Sequence, residues 1–355
     1  NENKLKTNDK KIIISKNNKK EKKTILILGG AGYIGTILSQ YLIKKNYHVK
    51  VIDKLSFGSE PIEKLNKDRN FSFYKGDIFR IDKLIEVATG CDAIIHLSAI
   101  VGDQASELDY TKTINNNYFS VKMITEICKY LKIPRYIFAS TCSVYGASAK
   151  SYNLKENSKL KPYSLYAETK IEAEKMLLDS STSNFFPTIL RLSTVFGISL
   201  RPRFDLLINT LCARAYLNNK LIVNGGEQIR PNIHVFDVAV AFEKTLSKKI
   251  NLIDNEIFNV GSNNMNYKII ELARIVNNEF PTAKIIIDEK NLDHRNYHVN
   301  FDKIEKKLNF KCSKSIEFGI KEIKNFLKRK NNFNINIKRS KYNNYISEKL
   351  SFFDK

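Results

Sequence analysis

Two residues in the stretch SLYAETK, Tyr166 and Lys170, stand four positions apart. On a helix, that spacing puts both side chains on one face. A phenol ordinarily titrates near pH ~10. An ammonium beside it stabilises the phenolate and lowers that value. Such a tyrosine can take a proton from a hydroxyl while hydride leaves the same carbon. A second stretch, ASTCSVYG (139–146), places Ser140, Thr141, Cys142 and Ser143 in a row. Read alone, it is a choice among nucleophiles. Hydride transfer, however, needs an acceptor, and the chain carries the signature of one upstream.

ILILGGAGYIG (25–35) ends an apolar run and opens a helical pattern, with G-x-x-G-x-x-G at Gly29, Gly32 and Gly35. The first glycine permits a tight turn, the second lets the backbone approach a pyrophosphate, and the third lets helix and strand pack closely. Tyr33 and Ile34 sit in the first turn of that helix, whose free N–H groups face the phosphates. Asp53 ends the second apolar run, 18 residues after Gly35. A carboxylate there accepts hydrogen bonds from both adenosine ribose hydroxyls and repels a 2′-phosphate. The expected cofactor is therefore NAD rather than NADP, with Lys54 counting the other way. In GDI (76–78), Asp77 and Ile78 suit the adenine amino group and ring face, although Asp77 equally suits a helix cap. His96, inside an apolar run, reads as a packed core histidine.

These groups need a scaffold. TILIL (24–28), VKVID (49–53), FSFY (71–74), AIIHL (93–97), RYIFAS (135–140) and TILRLS (188–193) read as strands. Helical patterns at 33–45, 111–131 and 163–179 alternate with them. Near-continuous apolar strands between helices imply a buried parallel sheet covered on both faces. The expected fold is α/β: a Rossmann-like, doubly wound parallel sheet with a smaller C-terminal α/β substrate-binding domain. The dinucleotide domain is expected over 23–192, with segments near 232–262 returning to it. The substrate domain takes 193–231 and 263–330. In that half, helices are predicted at 204–218, 235–247, 267–278 and from about 315, and strands at 221–223, 256–260 and 284–288.

The motifs GGAGYIG, GDI, HLSA, STCSVYG, YAETK, RLSTVFG and RPNIHVFDVA follow one another in an order that resembles the extended short-chain dehydrogenase/reductases, in particular the NAD-dependent nucleotide-sugar epimerase/dehydratase family. The resemblance covers about residues 24–328. It implies a Thr141–Tyr166–Lys170 catalytic set, in which Thr141 hydrogen-bonds the reacting oxygen. It adds Leu97 and Ala99 of HLSA to the cofactor site, and one asparagine of INNNY, by spacing Asn117 with Asn116 as the alternative. On the substrate side it implies Ser193 and Thr194 of RLSTVFG, and Arg230 and Arg295 as arginines holding a nucleotide diphosphate. Arg201 and Arg203 in SLRPRFD add to that cluster, since guanidinium forks suit a diphosphate.

Members of the family begin by oxidising a sugar carbon, usually C4, and diverge afterwards. The 4,6-dehydratases resembling this chain carry Asp–Glu directly after the threonine, where this chain has Cys142 and Ser143. The decarboxylases keep a glutamate at the second position. The 3,5-epimerases place a catalytic cysteine in the Ser143 slot, and Cys142 is one residue early. What remains needs only hydride out and hydride back, as in a 4-epimerase acting on a nucleotide-diphosphate sugar. A dehydrogenase or 4-ketoreductase needs the same residues and differs in exchanging its cofactor. The resemblance also implies a homodimer through a four-helix bundle, with 111–131 and 163–179 as the candidate helices.

The chain has 355 residues, 43% of them hydrophobic, enough for a sizeable core. No apolar run approaches the ~20 residues of a membrane span, and KIII (11–14) is shorter than the ~7–15 residues of a signal-peptide core. A cytoplasmic protein is expected. Five cysteines without a C-x-x-C pair disfavour a disulfide framework, and no metal site is expected. The formal charge is +22. Much of it lies in residues 1–23, with nine lysines against three acids, and in 321–355, with ten basic residues against three acids. Residues 1–22 read as a disordered basic extension and 331–355 as a basic tail with a docking segment around 345–353. Nucleic-acid binding is the rival use of this charge, in a non-catalytic NAD-sensing protein. The intact Thr141, Tyr166 and Lys170 argue against that rival.

Overall fold

The computed structural model describes residues 22–146, 152–290, 293, 295–329 and 340–353. The extension expected over 1–22 lies outside the described residues apart from Lys22, as does the part of the C-terminal tail between 331 and 339.

Seven strands form one sheet: β1 (Thr24–Leu28), β2 (His48–Asp53), β3 (Phe71–Lys75), β4 (Ala93–His96), β5 (Arg135–Thr141), β6 (Phe186–Leu192) and, after three short strands, β10 (Glu256–Val260). Their spatial order is β3-β2-β1-β4-β5-β6-β10, and every pairing is parallel. The near-continuous apolar strands are explained by what covers them. On one face, the helices Tyr33–Lys44 and Val235–Ser247 bury Leu38, Leu42, Val238 and Phe242 against Ile25, Ile27 and Val51. On the other, Ile81–Ala88, Ser120–Tyr130 and Leu165–Asp179 bury Leu84, Val121, Ile124 and Leu177 against Leu26, Leu28 and Ile94. This is the doubly wound arrangement, and its strand order reverses direction between β1 and β4. The crevice at the carboxyl ends of those strands is where such sheets take ligands.

The second half adds β7 (Thr194–Phe196), β9 (Ile229–His234) and β11 (Asn266–Lys268) as a small sheet of order β11-β9-β7. A parallel pair joins β8 (Lys220–Asn224) to β12 (Lys284–Asp288). The helices Leu207–Asn218, Ile269–Glu279 and Ile316–Arg329 share a core of Ile208, Leu211, Leu272, Val276, Ile320 and Ile323. Among the described residues, no helix is long and apolar enough to cross a membrane.

Several boundaries differ from expectation for local reasons. The helix expected from 163 begins at Leu165, because the Ser164 hydroxyl caps it, accepting from the Ala167 amide at 3.4 Å. The single helix expected over 111–131 is Tyr110–Ile114 and Ser120–Tyr130, joined by one π-helical turn, Asn115–Phe119. Such turns often accompany functional sites, and this one aims Asn117 inward. The described end of the C-terminal tail forms a helix, Asn344–Phe353.

Candidate active site

A cleft of about 540 Å³ opens at the carboxyl ends of β1, β2, β4, β5 and β6. The glycine loop forms its floor. Gly29 has φ +78°, and a Cβ there would sit 2.8 Å from the Ser98 backbone. A Cβ on Gly35 would lie 2.5 Å from Gly30 Cα, so the helix presses directly on the loop. Gly32, Tyr33 and Ile34 complete this wall. The Tyr33 hydroxyl donates to the Gly197 carbonyl at 2.8 Å, tying the loop to the second half of the chain. Asp53 stands at the end of β2, its oxygens accepting from the amides of Ala31 (3.0 Å) and Leu55 (2.8 Å). Burial raises its carboxyl above the ordinary value, against those bonds and the charges of Lys54 and Arg201. Lys54 itself turns to Asp77, 3.7 Å away. Asp77, Ile78, Leu97 and Ala99 line the same wall.

Asn117 does not line the cleft. It is buried behind it, where its amide oxygen accepts from the Ile100 N–H at 2.8 Å and its nitrogen donates to the Ile100 carbonyl at 3.0 Å. Asn117 therefore braces the loop after β4 as a neighbouring strand would, and its neighbour Asn116 reaches the cleft. Asn117, expected at the cofactor, thus stands one layer behind the cleft wall that Ile100 forms. His96 is wholly buried, with Nδ1 2.5 Å from the Tyr136 hydroxyl, as the core reading required.

Thr141, Tyr166 and Lys170 converge. The Thr141 hydroxyl stands beside the Tyr166 phenol and favours its ionised form, and Thr141 Oγ1 accepts from the Ser143 amide at 3.1 Å. Lys170 Nζ donates to the Ala139 carbonyl at 2.8 Å and lies 4.4 Å from the Phe138 ring centre. Burial pushes the Lys170 ammonium down to about 7, against Glu174, which raises it. The phenol behaves otherwise than expected from the pair alone. In the protein by itself, burial pushes Tyr166 up, and the neighbouring Thr141 hydroxyl pulls it only partly back. A lysine whose ammonium is disfavoured by burial supplies less help to the phenolate than the spacing suggested.

Of the rest of ASTCSVYG, Ser140 and Ser143 also line the cleft, while Cys142, Val144 and Tyr145 are turned into the core. Cys142 is 1% exposed, bonds the Arg191 carbonyl, and is absent from the cleft lining, while burial raises its thiol pKa. Ser140 donates to Glu174, which also holds Arg191 through bonds of 2.6 to 3.1 Å. Arg191 in turn donates to the Tyr145 hydroxyl at 3.0 Å. This buried network gave no sequence signal, because its members lie on separate elements.

Opposite the glycine loop, Ser193, Thr194, Arg203, Arg230 and Arg295 all line the cleft. None of the three arginines is unpaired. Arg203 forks onto Asp205 at 2.9 Å. Arg295 forks onto Asp293 and reaches Asp103 at 2.8 Å. Arg230 Nη2 lies 2.9 Å from Asp293, close enough for an ion pair but not aligned for a hydrogen bond. Although burial raises it, Asp293 is brought down to about 2 by the Arg295 bond and the Arg230 charge. Asp103 and Asp293 were not anticipated. The signal for Asp293 was its place two residues before Arg295. No group of three His, Cys, Asp or Glu side chains suited to a metal occurs among the described residues.

A family model described as the NAD-dependent epimerase/dehydratase family matches residues 25–261. A dTDP-D-glucose 4,6-dehydratase of Dictyostelium discoideum is 28% identical over 90% of this chain and 85% of its own length. A trifunctional UDP-glucose 4,6-dehydratase/3,5-epimerase/reductase of Arabidopsis thaliana is 29% identical over 84% of this chain, and the match spans 46% of that longer protein. Among solved structures, the UDP-glucuronic acid 4-epimerase of Bacillus cereus, in complex with UDP-glucuronic acid and NAD, superposes with a TM-score of 0.76. It is 27% identical, covering 86% of this chain and 99% of that one.

Proposed function

Because the chain belongs to the NAD-dependent epimerase/dehydratase family, we propose that it is a nucleotide-sugar 4-epimerase, working by transient oxidation at C4. The observation that carries this reading is the placement of the two residues after Thr141. Cys142 is turned into the core, and Ser143, which does line the cleft, is a neutral hydroxyl. Eliminating water needs a positioned acid and base beyond the tyrosine, and neither side chain can serve at neutral pH. The family's dehydratase members therefore fit this site less well than its 4-epimerases.

The residues present fit the dinucleotide: the Gly29 turn is closed to any side chain, and Asp53 offers a half-buried carboxylate beside it. Gly29 to Gly35, Asp53, Asp77 and Ile78 would hold it. When bound, it supplies the acceptor that takes hydride from the sugar carbon and later returns it. Thr141, beside Tyr166, would fix the sugar oxygen. Tyr166 Oη would take the hydroxyl proton as hydride leaves, and give it back when hydride returns to the opposite face, so that protons and electrons balance over the cycle. Lys170 keeps its nitrogen within the same buried group, its ammonium favouring the phenolate. Arg203, Arg230 and Arg295 would anchor the diphosphate by exchanging carboxylate for phosphate oxygens. The same proposal includes a homodimer, since Tyr110, Phe119 and Tyr130 are exposed along the helix expected to pair.

The test is product identity. Purified protein is incubated with UDP-glucuronic acid, UDP-glucose and UDP-N-acetylglucosamine, and products are tracked by mass and NMR. An epimer of unchanged mass, without net reduced nicotinamide, is expected. Loss of water would replace the reading with a dehydratase, and reduction of added NAD in step with turnover would replace it with a dehydrogenase.

A further inference from the structure

The C-terminal segment 340–353 lies outside the stretch that carries the family resemblance, yet it contributes to the cleft. The Tyr342 carbonyl accepts from the Phe204 amide at 2.9 Å, and its ring packs edge-on against Phe204, 5.7 Å between centres. Lys341 Nζ lies 3.8 Å from Glu60, just beyond β2. The Asn344 amide then donates to Asp205 Oδ2 at 2.9 Å, the same carboxylate that holds Arg203. From there the helix Asn344–Phe353 runs against Asp103–Ser106. The segment thus passes from the β2 loop, across the 201–205 turn, to the residues beside Tyr166.

Two polar side chains under this path are left wanting. Asn344 is 8% exposed and lines the cleft, and its Oδ1 is buried without a partner. Arg201 is 3% exposed and lines the same cleft, stacked 3.7 Å from the Phe57 ring centre, with Nε and Nη2 both unpartnered. Buried polar groups without partners are costly, and charged ones more so. A ligand supplying an anion to Arg201 and an N–H or O–H donor to Asn344 would satisfy both. Position selects which ligand. Arg201 has Arg203 and Asp205 as its foremost charged neighbours, then Asp53 and Tyr33, so it stands between the arginine cluster and the dinucleotide end of the cleft. Tyr342 and Lys341 share a recess with Phe57 and Arg201 at that end.

We infer that residues 340–353 form a strap over the dinucleotide, in which Asn344 contacts the cofactor, Arg201 is held against its phosphates, and the cofactor is kept resident between turnovers. This rests on the epimerase reading for its purpose, since an enzyme that returns the same hydride gains from not releasing its cofactor. Its test does not use turnover. Protein loaded with NAD is gel-filtered, and exchange of the bound nucleotide for isotope-labelled NAD is measured by mass spectrometry. Wild type is compared with Asn344→Ala, which keeps the backbone anchor, and with Tyr342→Ala, which loosens the segment. Thermal unfolding midpoints confirm that each variant is folded. We expect slow exchange in the wild type and exchange about ten-fold faster in Asn344→Ala, the worth of one buried hydrogen bond, with Tyr342→Ala faster still. Equal, slow exchange in all three would overturn the strap and leave the epimerase reading standing. A wild type that loses its nucleotide during gel filtration would overturn the resident cofactor itself, and the strap with it.

Discussion

Replacing Lys170 with methionine is expected to stabilise the protein while it disables it. Lys170 is 3% exposed, and burial brings its ammonium from 10.5 to about 7. Between those values, the folded chain holds fewer protons than the unfolded one, so the wild type gains stability as pH rises through that window. At ~1.36 kcal/mol per pKa unit, the cost of burying this lysine is about 4 kcal/mol near pH 7 and about 2 kcal/mol near pH 9. Methionine fits a similar volume and bears no such cost, but it forfeits the bond to the Ala139 carbonyl, worth about 1 kcal/mol. The net gain of Lys170→Met is then about 3 kcal/mol near neutrality, falling to about 1 kcal/mol near pH 9. Urea unfolding of NAD-stripped protein at the two pH values measures both. Turnover should fall by at least about 100-fold in the same variant. A stability difference that does not change with pH, or a methionine variant less stable than wild type near pH 7, would refute the reasoning.

Tyr166→Phe should cut turnover at least about 100-fold by removing the proton acceptor, while bound NAD, measured by release on heating, stays at the wild-type level. Cys142→Ala should leave turnover within about two-fold, because the thiol faces the core, and cost about 1–2 kcal/mol in urea unfolding for the lost volume. Gly35→Ala drives a methyl against Gly30 Cα at 2.5 Å, and calorimetry should show NAD binding weakened at least about ten-fold as the loop is pushed from the helix.

Much of the sheet was legible because its strands are buried on both faces. Ile25 to Leu28 and Ala93 to Ile95 are almost wholly apolar and need no partner to be recognised. β9 was not legible, since IRPNIH buries Arg230, Asn232 and His234, and its apolar content misrepresents its burial. The glycine loop, Asp53 and the Tyr166–Lys170 spacing are local patterns, and all of them reach the cleft. Spacing favoured Asn117 over Asn116, but it could not show the π-helical turn in which Asn117 is buried and Asn116 lines the cleft. The phenol's upward shift was missed because burial is a property of the whole fold. Asp103 and Asn344 carried no signal at all. Their partners lie 192 and 139 residues away, at Arg295 and Asp205.

The last three residues of β5 hold the helix Leu165–Asp179 at three successive turns. Thr141 meets Tyr166, the Ala139 carbonyl meets Lys170, and Ser140 meets Glu174. Positions 166, 170 and 174 form one stripe, so strand and helix cannot part at one contact without straining the next. In terms of cooperative opening units, the Tyr166 phenol belongs to the most protected part of the sheet. The strap at 340–353 hangs from a few contacts at the rim and belongs to the least protected. On warming, the protein should lose its grip on the cofactor well before it loses the alignment of its chemistry, so heat-inactivated enzyme held below its unfolding midpoint should recover on adding NAD.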